Sequence, residues 1–261
     1  MGRAKQIIVK VIPSKVANDF VKKWHYSGKV VNNSKLHFGC FLDNQLHGVM
    51  SFGSPLDKSK VLPLVQPSLW NEMLELNRMA FDDYLPKNSE SRCFSIAIKL
   101  LKKNAPHIKW ILSFSDGTQC GDGTIYRASG FVLSAIKKND QIWQAPTGEQ
   151  FARMSLTDGK SKQQQQQAKQ VISRTTTTKG KHILENGKAS MQGYKDAGWQ
   201  PIAGFQLRYI YLINKSCKIT VPILPFSKID EMGAGMYLGK KISLHERRVK
   251  DNLERPDQVN S

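Results

Sequence analysis

The sequence predicts a mixed α/β (α+β) protein in which helices flank a central sheet, with a low-complexity insertion and a basic C-terminal extension. Strand-like and helix-like apolar patterns alternate through residues 1–150, which is typical of this class. Hydrophobic residues make up 40% of the chain, which is enough for a packed core. No apolar run approaches the ~18 residues that a membrane-spanning helix needs, so we expect no integral membrane protein.

The N-terminal elements are predicted to be a strand, a helix and a β-hairpin. Residues 5–12 alternate between apolar and other side chains, as a short strand does. Ser14 is expected to cap a helix whose apolar residues fall on one face, and these are Val16, Phe20, Val21 and Trp24. Residues 37–43 and 45–53 then form two strands, because the dipeptide Asp43-Asn44 tolerates the positive φ of a hairpin turn.

The next elements are predicted to be two strands separated by a helix. Residues 75–81 are a strand candidate, and residues 91–103 carry apolar side chains around most of a helix, which predicts burial on both sides. Residues 108–115 are a continuous apolar run of the kind found in buried parallel strands. The Gly-rich residues 116–123 then lead to a short helix and to a strand that begins at Phe131.

The chain is expected to divide into three parts. Residues 1–150 form the predicted α/β core domain. Residues 151–200 are a low-complexity insertion or excursion, since residues 160–181 hold five consecutive glutamines and four consecutive threonines without apolar periodicity. That stretch is interpreted as an exposed linker or a helix–loop excursion. Residues 201–261 comprise a returning core strand at 205–214 and the basic C-terminal extension.

The charge of the chain points to a polyanionic partner. Thirty-nine Lys and Arg residues against 21 Asp and Glu residues give a net charge of +18. Such an excess favours capture of nucleic acid, although a generic basic surface remains the alternative. The basic residues 240–250 are candidates for binding phosphates, or else form a solvated tail. The four cysteines have no CxxC spacing, so we expect reduced thiols.

A first candidate site is the polar loop before the helix at residues 91–103. The first N–H groups of a helix and the positive end of its dipole favour an anion such as a phosphate or pyrophosphate. The candidate cofactor-binding residues are Lys87, Asn88, Ser89, Ser91 and Arg92. The alternative is that Asn88 or Ser89 merely caps the helix.

A second candidate site follows the buried strand at residues 108–115. That strand delivers Asp116 at its C-terminal end, where open α/β sheets place their ligands. Asp116 is a candidate general base or metal ligand, or else it binds the N–H groups of its own loop. Tyr126 is a candidate general acid or a core residue, and His25-Tyr26 alone does not define a site. The chain has no GxSxG, HExxH, Walker A or GxGxxG motif, so those enzyme classes are not supported.

The order of these elements resembles the core of a GNAT-type acyltransferase, a mixed central sheet flanked by helices. Five sequence blocks resemble more specifically the Mom family, the adenine-modifying DNA proteins typified by bacteriophage Mu. The blocks are HYSG at 25–28, LNRM at 76–79, PKNSESR at 86–92, SFSD at 113–116 and GTIYRASGF at 123–131. Together they span roughly the first half of the chain, and their combination is much more specific than any one block.

The resemblance implies a phage-encoded enzyme that replaces an N6 hydrogen of adenine in double-stranded DNA with a carbamoylmethyl (acetamido) group, which protects phage DNA from host restriction. It also implies acetyl-CoA or a related small-molecule donor, and iron. Transferred block by block, it implies the catalytic residues His25, Tyr26, Arg78, Ser91, Asp116 and Tyr126. His25 and Asp116 would be the metal ligands. The target base would have to leave the helix, and the candidate stacking residues are Trp24, Tyr26 and Tyr84.

One departure from ordinary GNAT enzymes concerns the loop at residues 86–91. Those enzymes bind a cofactor pyrophosphate in a Gly-rich loop, whereas this loop contains no glycine. One alternative is a GNAT acyltransferase that acts on a small amine or protein, which shares the fold but which the glycine-free loop argues against. The other is a non-catalytic basic DNA-binding protein, which the net charge supports. The N-terminal residues lack a signal-peptide pattern, so we expect a protein of the cytoplasm, that of the host cell if it is phage-encoded.

Overall fold

The computed structural model describes residues 3–117, 121–157, 162–174, 189–237, 240–243 and 245–246. Its strands are β1 (Ile8–Val11), β2 (Ser34–Leu42), β3 (Gln45–Gly53), β4 (Val65–Gln66), β5 (Met73–Phe81), β6 (Trp110–Asp116), β7 (Val132–Asn139), β8 (Ile142–Gln144), β9 (Gln150–Ala152), β10 (Gln200–Pro201), β11 (Gly204–Leu212), β12 (Lys218–Ile219), β13 (Met236–Tyr237) and β14 (Lys240–Lys241). Its α-helices are α1 (Ser14–Trp24), α2 (Lys58–Val61), α3 (Ser89–Asn104), α4 (Thr124–Ala128), α5 (Lys162–Arg174), α6 (Met191–Asp196) and α7 (Ser227–Glu231). Single 3-10 turns lie at Arg3–Gln6, Leu62–Leu64, Trp70–Glu72 and Arg153–Ser155.

Seven strands form the central sheet in the order β1-β2-β3-β5-β6-β11-β7. Only β5 and β6 run parallel within this sheet, and each other neighbouring pair is antiparallel. The late strand β11 inserts between β6 and β7, so the predicted return of the chain to the core is confirmed. The predicted fold class, a mixed sheet flanked by helices, is also confirmed.

Helices α1 and α3 cover opposite faces of the sheet. Helix α3 packs Phe94 and Ala97 into the largest buried cluster, which includes Ile111 of β6. Helix α1 packs Phe20 against Val49 of β3 in a separate cluster on the other face. The expectation that the α3 helix is buried on both sides is wrong, because it also has an exposed face, formed by Ser95, Lys99, Lys102 and Lys103.

The hairpin between β2 and β3 matches its prediction. Asp43 and Asn44 have φ values of 51° and 62°, the left-handed values that a tight hairpin turn requires. The expected start of α1 is wrong, because Pro13 occupies the N-cap position without a side-chain cap bond. Trp24 also departs from the predicted buried face of α1, since 40% of its surface is exposed.

The glutamine-rich segment belongs to a small unit with its own core. Strands β8, β9 and β10 form a three-stranded sheet beside α5 and α6. The helix α5 contains the glutamine run, and it buries Ala168, Val171 and Ile172 against Trp143 and Trp199. Those three buried positions have the i, i+3, i+4 spacing of a helix face, so the expected lack of apolar periodicity is wrong here. The threonine run lies outside the described residues.

Two expectations from the composition concern membrane-spanning helices and the state of the cysteines. Within the described ranges, no helix is long and apolar enough to cross a membrane. Cys40, Cys93 and Cys217 are buried free thiols, as expected, while Cys120 lies outside the described residues. The basic residues 247–250 also lie outside them.

Candidate active site at the fork between β5 and β6

The parallel pair β5–β6 opens into a fork at its C-terminal end. Paired residues run from Met73–Trp110 to Leu76–Ser113, after which the two strands no longer pair with each other. β5 continues to Phe81 beside β3, and β6 continues to Asp116 beside β11. The buried Ser113 hydroxyl donates a hydrogen bond to the Leu76 carbonyl at 3.1 Å. Beyond this bond each strand end pairs with its outer neighbour, β3 or β11, and the two strand ends are separate from each other.

A β-bulge sets the direction of the side chains on the β5 branch of the fork. Arg78 pairs with Ser51 of β3 and Leu76 pairs with Phe52, so Asn77 is the extra residue. The Asn77 side-chain oxygen accepts a hydrogen bond from the Ser34 hydroxyl at 3.0 Å. A bulge reverses the alternation of side chains along a strand, and it thereby places Arg78 on the same face as Glu75.

Arg78 is the residue around which the site is organised. Its Nε donates to the Lys29 carbonyl at 2.9 Å, and Nη1 donates to the Asn77 carbonyl at 2.7 Å. Burial lowers the pKa of Arg78, while Tyr26, Glu75 and Tyr126 act electrostatically to raise it. The fork therefore brings together one cation, one carboxylate and two phenols from three different segments of the chain.

His25 lies beside this cation and is neutral at pH 7. Burial first, and the Arg78 charge second, lower the pKa of His25 to about 4. Its Nδ1 accepts a hydrogen bond from the Ser27 N–H at 3.2 Å, and the Ser27 hydroxyl lies 2.8 Å away. A backbone donor at Nδ1 assigns the ring proton to Nε2. The His25 ring lies 4.3 Å, centroid to centroid, from the ring of Tyr26.

Glu75 is a site residue that sequence reasoning did not select. Burial raises the pKa of this carboxyl, against a hydrogen bond with Asn77 and the charge of Arg78, which both lower it. A charged side chain within an otherwise apolar stretch of a central strand was the available signal. The chain carries that stretch as MLELNRM, from Met73 to Met79.

Asp116 and Tyr126 reach the fork from the β6 side. Asp116 ends β6, where it pairs with Gln206 of β11. The Tyr126 ring, from α4, stacks on Tyr209 with a centroid distance of 4.9 Å. Asp122 precedes Gly123, the N-cap residue of α4, and accepts a hydrogen bond from the Thr124 N–H at 3.1 Å.

The candidate cofactor loop does not form a ready-made pyrophosphate site. Ser89 is fully buried, and its hydroxyl donates to the Pro86 carbonyl. The Ser91 hydroxyl donates to the Asn88 carbonyl at 3.1 Å, so Ser91 is bound within its own turn. The Arg92 guanidinium donates to the Lys5 carbonyl at 3.3 Å. Helix α3 starts at Ser89, and its N-cap residue Asn88 has a φ of 67° and makes no side-chain cap bond.

Lys87 is also in this loop, at the residue before the N-cap. The hydroxyls of Ser89 and Ser91 donate within the protein, so neither hydroxyl is directed at a pyrophosphate in this structure.

No group of three or more His, Cys, Asp or Glu side chains in the described part of the chain is placed to hold a metal ion. Within those residues, the implied pair His25 and Asp116 has no third ligand of these types, and Cys120 lies outside them.

Gly123, in the loop after β6, lies very close to the side chain of Tyr209. Gly123 has a φ of 73°, and a Cβ at this position would lie 2.7 Å from the Tyr209 ring. We expect Gly123→Ala to reduce the free energy of unfolding by about 3 kcal/mol, from backbone strain and overpacking together. Gly148→Ala is the matched control, since Gly148 has a φ of 96° and open space around it. Its free energy of unfolding, measured in urea, should fall by only about 1 kcal/mol. Equal losses in Gly123→Ala and Gly148→Ala would show that the Tyr209 contact does not contribute.

The fold and the fork define a member of a known family. The Mom protein family model matches residues 6–228, and the chain belongs to this family. A curated relative is the methylcarbamoylase Mom of Escherichia phage Mu, which is 37% identical over 154 residues. That match covers 59% of this chain and 63% of the relative, so it spans less than two thirds of the relative's length.

Solved structures with a partial likeness are acetyltransferases. A GNAT family acetyltransferase from Elizabethkingia anophelis, with acetyl-CoA bound, has a TM-score of 0.38 and 16% identity, and the match covers 51% of this chain and 81% of that one. The ribosomal-protein-S18-alanine N-acetyltransferase from Escherichia coli has a TM-score of 0.41 and 8% identity, with 80% and 94% covered.

Proposed function

We propose that this protein is a DNA modification enzyme that adds a carbamoylmethyl group to N6 of adenine and so protects phage DNA from host restriction. The observation that carries the proposal is the family match, which spans the whole fork together with the returning strand β11. The net charge of +18 supports a polyanionic substrate. The cluster around Arg78 supports a catalytic role over simple binding, because packing does not require two half-buried charges, Glu75 and Arg78, beside two phenols at one strand end.

The proposed reaction is an N-alkylation, so the site must accept a proton from N6 and stabilise the charge that develops on the donor. A bond forms between adenine N6 and the CH2 carbon of the donor, and the bond from that carbon to its leaving group breaks with the electron pair going to the leaving group. N6 loses one proton, for which Glu75 and Asp116 are the candidate acceptors. Arg78 would stabilise negative charge that develops on the donor. The donor class is a small molecule that carries a carbamoylmethyl group on a leaving group, and acetyl-CoA or a related compound stays a prediction.

Neutral His25 suits a role as a hydrogen-bond partner for the base. With the ring proton on Nε2, it can donate one hydrogen bond at pH 7 without adding a second positive charge beside Arg78. The phenols of Tyr26 and Tyr126 both act on the Arg78 charge, so a base held between them would also lie close to the guanidinium.

Mass analysis of DNA nucleosides tests this proposal. The protein would be co-expressed with plasmid DNA, and the DNA would be digested and compared with DNA from cells that carry the empty vector. A deoxyadenosine adduct with the mass of a carbamoylmethyl group supports the proposal. An acetylated amine product with unmodified DNA would instead indicate a GNAT acyltransferase. DNA binding without either product would indicate a non-catalytic DNA-binding protein.

A further inference from the structure

The end of α1 carries aromatic and cationic side chains that the fold leaves exposed. We call Lys22, Lys23, Trp24, Tyr26 and Lys29 the helix-end surface. Trp24 and Tyr26 have 40% and 53% of their surface exposed, and the three lysines are exposed as well. Interleaved cations and aromatic rings are the side chains that proteins use to hold phosphates and unstacked bases.

Exposure alone does not distinguish these rings, but their surroundings do. Tyr84 is 47% exposed, yet its ring stacks on His47 at 4.2 Å and its hydroxyl donates to Asp43 at 2.7 Å. Trp24 has the Lys23 ammonium 4.8 Å from its ring centroid, and its nearest aromatic neighbour, Phe20, is tilted at 6.3 Å. The exposed Trp24 ring thus has a cation over it, whereas the ring and the hydroxyl of Tyr84 both bind residues of the hairpin.

The helix-end surface borders the fork directly. His25 lies within it in sequence, between Trp24 and Tyr26. The Lys29 carbonyl accepts the hydrogen bond from Arg78 Nε at 2.9 Å, which joins the far end of the surface to the centre of the site. A molecule seated on these side chains would therefore reach the Arg78 cluster without crossing another part of the fold.

We infer that duplex DNA docks on the helix-end surface, where the lysines contact phosphates and Trp24 stacks on a base next to the displaced adenine. This inference rests on the proposed function. Adenine N6 is paired and stacked in duplex DNA, so displacing the base leaves a neighbouring base without its stacking partner. Trp24 provides a replacement stacking surface at the border of the fork. Tyr26, one residue past His25, lies closer to Arg78 and faces the displaced base itself.

Paired lysine substitutions test the phosphate contacts. Lys22→Ser/Lys23→Ser removes two charges from the last turn of α1, and Lys102→Ser/Lys103→Ser removes two from the last turn of α3. The two variants thus carry the same net charge. We expect the first to reduce the salt dependence of binding to a short mixed-sequence duplex by about 1.8 in the slope of log K against log salt. The second should leave that slope as in wild type, and equal slopes in the two variants would overturn the inference.

Tryptophan fluorescence tests the stacking contact. Trp24 is exposed, while Trp110, Trp143 and Trp199 are buried and Trp70 is partly buried. DNA-induced quenching should be lost in Trp24→Phe and retained in Trp70→Phe. Trp24→Ala should weaken modification by about 5- to 100-fold, and Trp24→Phe should restore most of it. If wild type modifies DNA and both Phe variants still show quenching, the docking surface is wrong and the proposed function stands. If wild type neither binds nor modifies DNA, the proposed function itself is wrong.

Discussion

Arg78→Gln is expected to reduce DNA modification by roughly 10²–10³-fold while the protein remains folded. Arg78 interacts electrostatically with Tyr26, Glu75 and Tyr126 at the fork. Glutamine keeps hydrogen-bond donors of similar reach but removes the charge. A loss of modification activity would therefore be due to the missing charge and not to a change in side-chain shape. The measurement is adduct formation per adenine, with circular dichroism and the unfolding midpoint recorded on the same preparations.

Arg208→Gln is the matched control for this substitution. Arg208 is a partly buried arginine whose pKa burial also lowers, and its Nε donates to the Ser134 hydroxyl at 2.9 Å. It lies on β11 beside β7, away from the β5 branch of the fork. We expect near wild-type modification from it, and a similar loss in both variants would show that Arg78 acts through stability alone.

The Arg78→Gln variant also has a spectroscopic signature. The Arg78 charge is the second cause of the low pKa of His25, after burial. Removing that charge should raise the pKa of His25 from about 4, while burial keeps it below the ordinary value of about 6.5. Histidine NMR titration measures this shift directly. An unchanged pKa would mean that the guanidinium does not lie beside the imidazole.

Glu75→Gln is expected to reduce modification by about 10²–10⁴-fold without loss of stability, because a proton acceptor is removed and its shape is kept. Burial raises the pKa of Glu75 in the folded protein above its unfolded value. The unfolded chain then holds fewer protons at this group, so the stability of the wild type falls as the pH rises from the unfolded pKa through the folded one. Glutamine abolishes that decrease, and the variant should be at least as stable as wild type at pH 7.

Glu72→Gln is the control with the opposite sign. Glu72 binds the Lys109 ammonium at 2.7 Å, at the N-terminal end of the parallel pair, and this partner lowers its pKa. The stability that Glu72 provides is present above its unfolded pKa and is lost as the pH falls through the folded one. Glu72→Gln should therefore reduce stability at pH 7 and leave modification unchanged.

Asp116→Asn tests the other candidate proton acceptor. A greater loss of modification in Asp116→Asn than in Glu75→Gln would identify Asp116 as the proton acceptor.

Local patterns predicted the elements, whereas contacts between distant segments determined the site. The hairpin at Asp43-Asn44 and the buried strand β6 follow from turn chemistry and apolar runs, which neighbouring residues set. The fork does not, because the point at which β5 and β6 stop pairing depends on the bulge at Asn77 and on the register with β3. Glu75 was missed for the same reason, since its burial arises only when the strands assemble.

Two further departures have a similar origin. Trp24 has the spacing of a buried helix face, but α1 ends there and the sheet beneath it does not extend to its side chain. The glutamine run has few apolar residues, yet Ala168, Val171 and Ile172 suffice for one face once Trp143 and Trp199 are available. In both cases the burial of a side chain depends on which residues of other segments pack against it. The local sequence pattern does not specify those residues.

The position of β11 fixes when the enzyme can mature during its own synthesis. Strands β6 and β7 emerge from the ribosome with no partner for their facing edges until residues 204–212 follow them. At typical translation rates of roughly 5–20 residues per second, the 140–203 segment delays that partner by several seconds. Asp116 lies opposite Gln206, so its strand end is fixed only at this late step. A nascent chain therefore carries open sheet edges and an unfinished site until residues 204–212 have been synthesised.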